Sequence, residues 1–363
     1  MSAVEQGGGV PAQASVEVLG TVFFDLVFSG LSGAPRPGTE VRCSDLGLSP
    51  GGAANVAVAL ARLGIEVRLS SAFADDAFGA FLWGALEHEG IDLSSSWRVA
   101  GWTTPLTVSM AYGRERSMVT HEAALPARPS AGTHRADPGA PTGATPDSGR
   151  PEPARACFVA LGGELDGARL ASLRQRYGVV VADVGWDHEE RWSPSLLDQL
   201  AEVDVFLPNA AEATAYARQE DVAEAARRLA ERGPLVAVKR GAAGALAAGG
   251  GLGEVVSEPG IPAEAHDTTG AGDVFDAGFI LGTLAGWPVR QRLRFANLCA
   301  GESVSYAGGS LSAPCWRDLR AWWERQEDVA LREAYGFLPA LFEQHRPVRP
   351  CERPAARLGT AAH

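Results

Sequence analysis

The stretch DTTGAGDVFDAG, residues 267–278, sets two acids, Asp267 and Asp273, around Gly270, Ala271 and Gly272. An apolar run over 274–284 follows at once. A Gly-rich loop that opens a helix offers unpaired backbone N–H groups and the positive end of the helix dipole. Glycine also lets the backbone approach a phosphate closely. An acid at that point would repel a bound anion, so its presence needs a reason, and phosphoryl transfer supplies one. The N–H groups of 269–272 would hold the transferred phosphoryl while Asp273 accepts the proton of an attacking hydroxyl. The same residues also fit a turn capped by Asp267, with Asp273 stabilising the dipole from the first helical turn. Read alone, the stretch leaves the two readings level.

A second stretch, GGAANVAVALARLG at 51–64, puts Gly51 and Gly52 before a helix with Asn55 in its first turn. That suits close approach by a polyhydroxy ligand, or equally an ordinary turn and cap. It is no dinucleotide fingerprint, because G-x-G-x-x-G is absent there. GGGLG at 249–253 is closer to that motif, but it lies between two strand-like runs, so a hairpin turn is expected. No G-x-S-x-G, H-E-x-x-H or Walker-type motif occurs. His121 and His188 are isolated. Asp183 and Asp187 stand at and beyond the end of VVVADV.

The elements that must position these residues alternate strand and helix. VEVLGTVFFDLVFSGL reads as a strand running to Asp25. AANVAVALARLG and DAFGAFLWGALEHEG read as helices stopped by Gly64 and Gly90, with the strand VRLSSAF between them. ACFVAL, VVVADV, VDVFLPN and PLVAVKRG continue as strands, followed by GALAAGG and EVVSEPG. Such alternation predicts an α/β fold: a doubly wound, mostly parallel sheet covered on both faces. Two strand-like pieces without helices, about 33–50 and 94–122, are expected to pair as a small β-lid. Residues 126–155 are rich in Pro, Gly, Ala, Ser and Thr and cannot bury enough surface to offset their ordering entropy, so a mobile insertion is expected. The main domain is expected over 15–325. A C-terminal extension over 326–363 is helical at first and then partly disordered.

The whole chain sets outer limits. Its 363 residues are 46% apolar, ample for a large core, and carry a net charge of −12. That acidity argues against non-specific binding to nucleic acid or to an anionic membrane surface. The five cysteines form no C-x-x-C pair and are odd in number, which fits a reducing cytoplasm rather than a disulfide framework or zinc site. The first residues lack a signal-peptide pattern, and no apolar run approaches a membrane span.

Together, Gly51–Gly52…Asn55 and DTTGAGDVF resemble the two signatures of the ribokinase-like (PfkB) family of sugar and nucleoside kinases. The resemblance covers roughly 16–319. It implies ATP-dependent phosphorylation of a sugar hydroxymethyl group, with Asp273 as base and Gly270, Ala271 and Gly272 as anion hole. It places Asp25, Gly51, Gly52 and Asn55 at the sugar. PNAAEA gives Asn209 and Glu212 near the phosphates, Glu212 on Mg²⁺ through water. VKRGAAGA gives Lys239 and Gly241 at the nucleotide, and Asn297 falls in the adenine pocket. A monovalent cation such as K⁺ would lie near Asp267 and Thr269, with backbone from Ser303 and Gly308 and a further contribution from Ser312. The resemblance also implies a homodimer through the lid. On PLTVSMAY, Leu106, Val108 and Met110 would cover the sugar, leaving Thr107, Ser109 and Ala111 for a second lid.

Some residues depart from the pattern. Thr21, Val22, Phe23 and Phe24 make the sugar end more apolar than in ribokinases, and GGAAN lacks a lysine that ribokinases often carry, so ribose is not implied. A nucleoside acceptor, stacked on Trp97 and Trp102, keeps the same chemistry. Arg114 and Arg116 on the lid could touch substrate or form a solvated turn. A catalytically silent sugar-binding or regulatory homologue would not need Asp273, and a Rossmann-type dehydrogenase would need the missing fingerprint.

Overall fold

The structure, a computed structural model, describes residues 14–112, 115–124, 154–162, 167–185, 187, 189–306 and 308–345. Most of the insertion expected over 126–155, and the tail from 346 to 363, lie outside them. So do Arg114 and the side chain of Arg116.

In chain order the strands are β1 (Ser15–Leu19), β2 (Val22–Ser29), β3 (Asp45–Gly52), β4 (Glu66–Ser70), β5 (Ala72–Ala74), β6 (Trp97–Val99), β7 (Leu106–Tyr112), β8 (Glu115–His121), β9 (Ala156–Leu161), β10 (Val179–Val184), β11 (Val205–Phe206), β12 (Leu235–Lys239), β13 (Ala245–Ala248) and β14 (Val256–Glu258). The helices are α1 (Ala53–Arg62), α2 (Ala77–His88), α3 (Gly167–Arg176), α4 (Ser195–Gln199), α5 (Ala210–Ala217), α6 (Val222–Ala230), α7 (Ala271–Leu284), α8 (Val289–Ser303), α9 (Trp316–Arg325), α10 (Val329–Ala334) and α11 (Leu338–Gln344).

The main sheet runs in the order β14-β13-β12-β11-β10-β9-β1-β4. It is parallel from β4 to β12 and antiparallel at the β12–β13–β14 edge. Alternate strand residues feed two cores, as the pleat requires. On β10, Val180, Ala182 and Val184 join α3 to α6, whereas Val181 faces the core of α1, α7 and α8. Burial on both faces explains why these strands read as continuous apolar runs rather than alternating ones.

The first strand-like stretch is two strands. The chain leaves the main sheet at Gly20 and Thr21, and β2 enters a separate sheet, antiparallel to β3 and parallel to β7. That sheet, β3-β2-β7-β8, is the lid. Its strands differ from the expected pieces. Residues 33–44 carry no strand, and β6 pairs with β5 instead. The strand β2, read as part of the main sheet, is a central lid strand. Asp25 is therefore mid-strand in the lid, paired with Ser49 and Thr107, and not at the end of a main-sheet strand.

The two lid faces are also reversed from expectation. Thr107 and Ser109 are buried, on the inner face with Asp25, Val27 and Ser49. On the apolar face Phe24, Leu26 and Leu106 pack against the main core, whereas Phe28, Val108 and Met110 are part-exposed and Leu46, Leu48 and Val119 are exposed and point outward. Hence the small residues Thr107 and Ser109 cannot form the outer contact.

The GGGLG stretch turns between β13 and β14, an antiparallel pair. At the other end, α10 and α11 pack onto the α7–α8 core, with Tyr335, Leu338, Leu341 and Phe342 buried. No helix among the described residues is long and apolar enough to cross a membrane.

Candidate active site

The carboxyl ends of β10 and β12, the start of α7 and the start of α1 converge on one point, where an open parallel sheet offers a crevice. Helix α7 opens at Gly270, whose φ of 74° is left-handed and suits glycine. The N-terminal N–H groups of 271–272 follow without a side-chain cap among the described residues, Ala271 N making a long bond to Thr268 O at 3.3 Å. Asp273 sits in the first turn and accepts a hydrogen bond from Asn55 Nδ2 at 2.9 Å. Asn55 thus touches the carboxylate of the loop, and its Oδ1 is buried without a hydrogen-bond partner among the described residues. Gly270 lies against the same amide, since a Cβ there would come 3.3 Å from Asn55 Cγ.

Burial pushes the Asp273 carboxyl up to about 6, opposed by Lys239 and reinforced by Asp183. Lys239 is mostly buried, its side chain 11% exposed. Its Nζ donates to Asp183 Oδ2 at 2.8 Å and to Asp276 Oδ1 at 3.0 Å. Burial disfavours the ammonium, but Asp183 and Asp276 outweigh that and raise its pKa. One face of this cluster lies behind the loop: a Cβ on Gly272 would stand 3.6 Å from Lys239 Nζ. Lys239 is therefore an ion-paired residue under the loop and not an open phosphate ligand. Asp276 was missed from the sequence. Its signal was an acid inside an apolar helix, one turn past Asp273 and wholly buried.

Asp183 Oδ1 is buried without a hydrogen-bond partner among the described residues. Nearby, Asn209 and Glu212 form a capping box at the start of α5, Glu212 N donating to Asn209 Oδ1 at 2.9 Å and Asn209 N to Glu212 Oε2 at 2.8 Å. Burial, then the Asp183 charge, raises Glu212 to about 7. Two neighbouring acids, one with an orphaned oxygen, fit a hydrated Mg²⁺, which keeps most of its waters and takes few protein ligands.

Asp25 is held at about 7, first by burial and then by the charges of Asp273 and Asp267. Its carboxyl lies on Gly51, where a Cβ would come within 2.1 Å of Oδ2. Gly52, at φ 60°, would press a Cβ to 2.5 Å of Thr21 O. Both glycines are required by contact.

The group expected around a monovalent cation is brought together only in part. Asp267 Oδ1 accepts from Thr269 N at 2.9 Å and Oδ2 from Gly308 N at 3.1 Å, so the carboxylate staples the loop to 308. Thr269 Oγ1 is buried without a hydrogen-bond partner among the described residues, which suits an added cation. Ser303 and Ser312 turn their hydroxyls back to Ala300 O and Gly309 O. Gly241, at φ 58°, opens the turn after β12. Asn297 Nδ2 donates to Pro259 O at 3.0 Å and Glu258 O at 3.3 Å, clamping the chain that follows β14.

A cleft of about 770 Å³ opens on this point, lined by Thr21, Phe23, Gly52, Trp97, Phe158, Leu161, Asp183 and Asp273 among others.

This arrangement of sheet, lid and glycine-led helix defines a ribokinase-type fold. The chain belongs to the pfkB family of carbohydrate kinases, whose model matches residues 13–130 and 165–316. It is 29% identical to a nucleoside kinase of Methanothermobacter thermautotrophicus over 300 residues, 82% of this chain and 91% of that one. It is likewise 29% identical to a fructokinase of Klebsiella pneumoniae over 322 residues, 84% of this chain and 97% of that one. The Arabidopsis thaliana ribokinase complexed with ribose and ATP shares the fold, with a TM-score of 0.66 at 21% identity, over 85% of this chain and 98% of that one.

Proposed function

We propose that the protein transfers the γ-phosphoryl of ATP to the hydroxymethyl group of a sugar, with Asp273 as general base. The observation that carries the reading is the Asn55–Asp273 bond at the glycine-led start of α7, on the wall of the cleft. The acceptor oxygen attacks the γ-phosphorus, its proton passes to the Asp273 carboxylate, and the bond to the β-phosphate oxygen breaks to release ADP. The N–H groups of 270–272 hold the oxygens on which charge collects. Asn55 keeps the accepting carboxylate aimed. Asp25 and the backbone at Gly51 and Gly52 hold the acceptor's other hydroxyls. Lys239 offsets the acids beneath the loop. Bound Mg²⁺, held by Asp183 and Glu212 through water, would screen the phosphate charges. Measuring ADP release across a panel of sugars and nucleosides tests the reading, and a parent protein inactive on the whole panel would reject it.

A nucleoside acceptor is the second reading. It is favoured by the apolar wall of Phe23, Trp97, Phe158 and Leu161 and by the likeness to a nucleoside kinase. The soluble homodimer implied by the family also stays in this reading, with the contact moved to the outward apolar lid face. An acidic chain with no membrane-length helix among its described residues is compatible with a cytoplasmic kinase.

A further inference from the structure

We propose that the C-terminal segment α10–α11, beyond the residues matched by the family model, braces the nucleotide end of the site through Arg294. The proposal rests on the reading that the nucleotide lies along Gly241 and Asn297.

Arg294 lies on α8, one turn before Asn297. It joins three parts of the chain. Its Nε donates to Glu258 Oε2 at 2.7 Å, its Nη1 donates to Ala334 O at 3.0 Å, and its carbonyl accepts from Tyr335 Oη at 3.1 Å. Tyr335 is buried against Trp322, with ring centroids 5.1 Å apart. The end of α10 is thereby fixed to α8 at two points.

Glu258 ends β14 with its side chain buried, and Arg290 is its second cation. The carbonyls of Glu258 and Pro259 receive the Asn297 amide. The same segment lies on the 241–244 turn with no room between. A Cβ on Gly244 would stand 2.2 Å from Glu258 O, and one on Gly260 would stand 2.7 Å from Ala242 O. Arg240 Nη2 adds a bond to Ser257 Oγ at 2.8 Å. A shift of Glu258 must therefore move Asn297, the Gly241 turn, or both. Removing Arg294 leaves a buried carboxylate with only Arg290, whose side chain is 57% exposed. Breaking one side of a buried ion pair is costly because the remaining charge stays desolvated. The loop can relieve that cost by moving, and the nucleotide end moves with it.

A purely structural role for α10–α11 predicts something else: lower melting temperature with unchanged nucleotide affinity. The two are separated by calorimetric titration of the full-length protein with ADP, which needs no acceptor. Arg294→Met, which keeps the aliphatic stem, is expected to weaken ADP binding about ten-fold, equivalent to about 1.4 kcal/mol. Tyr335→Phe is expected to weaken it about three-fold, a modest effect fitting one lost hydrogen bond. Arg294→Lys restores the charge beside Glu258 and should recover part of the loss. In turnover, the KM for ATP rises while that for the acceptor stays at the parent value. Equal ADP affinity in parent, Arg294→Met and Tyr335→Phe overturns the brace. If Arg294→Met does not fold, Tyr335→Phe decides alone. A parent that binds no ADP rejects the nucleotide reading itself, and the brace with it.

Discussion

In the proposed reaction Asp273 accepts a proton where its charge is least welcome. It is part-buried beside Asp183, and the rise of its pKa to about 6 is held back by Lys239 and the Asn55 amide. A base so placed is ionised at neutral pH yet ready to take a proton, as general-base catalysis favours. Asp273→Asn keeps an acceptor for Asn55 and removes the basicity, so kcat should fall by ~10²–10⁴-fold with acceptor binding largely intact. A loss of less than about three-fold would exclude the role, being far below that range. The same value sets an acid limb: kcat/KM should rise with pH through about 6 and onward to about 7, where Asp25 also titrates in the free protein. A flat profile from pH 5 to 8, a span that brackets both values, would contradict it. Stability should run the other way. Asp25 is raised from 3.8 to about 7, so the folded chain keeps a proton that the unfolded chain releases. Stability from this group is complete below about 4 and falls as pH rises towards 7. Asp25→Asn should therefore raise the melting temperature at pH 8 and change it little at pH 4, either side of that window. A Tm gain that is equal at both pH values would refute the linkage.

At the scale of elements, the helices were the most legible. Val56, Val58 and Leu60 of α1, and the apolar run of α7, announce buried helices, and Gly270 marks the start of the second. Asp273, Asn55 and the glycines were legible because backbone conformation and close contact restrict the residue type. The lid was less so. Nothing in GTVFFD says that the strand changes sheets at Gly20, because that choice is made by β3 and β7, distant in sequence. Alternation along β7 shows two faces and cannot say which one is inside. The usual rule puts apolar residues inward. It fails here because Thr107 and Ser109 share the inner face with Asp25, while Val108, Leu46 and Leu48 lie on the more exposed one. The Glu212 capping box was written in sequence as N-x-x-E, a pattern that serves a helix start as well as an ion. Glu212→Gln separates those uses. It keeps an acceptor for Asn209 N but loses charge, so the Mg²⁺ concentration at half-maximal rate should rise while acceptor affinity holds. An unchanged Mg²⁺ titration removes Glu212 from the ion. Gly51→Ala belongs to the same scale. Its Cβ would strike the Asp25 carboxyl, so acceptor KM should rise at least ten-fold, the effect of about 1.4 kcal/mol, with α7 intact. An unaltered KM would show that Asp25 does not touch the acceptor.

For the whole molecule, the outward lid face carries the prediction. Leu46, Leu48 and Val119 are exposed on an apolar sheet face, an arrangement that marks an interaction surface more often than bare solvent contact. A homodimer through that face should sediment as one species at micromolar concentration, and Leu48→Glu should shift it to monomer with the fold retained. A monomeric parent would end the proposal. The junction between lid and core has a mechanical consequence. Strand β1 lies between β4 and β9 in the main sheet, and after Gly20 and Thr21 the chain continues as β2 of the lid. Ala53 N, the first residue of α1, bonds Thr21 O at 2.9 Å, tying that bend to the helix bearing Asn55. The lid is thus an overhang cast in one piece with its anchor wall. A molecule that grips Asp25 would load the bend, and the load would be delivered to the two places it joins: the strand next to the β4 edge of the sheet and the helix that bears Asn55.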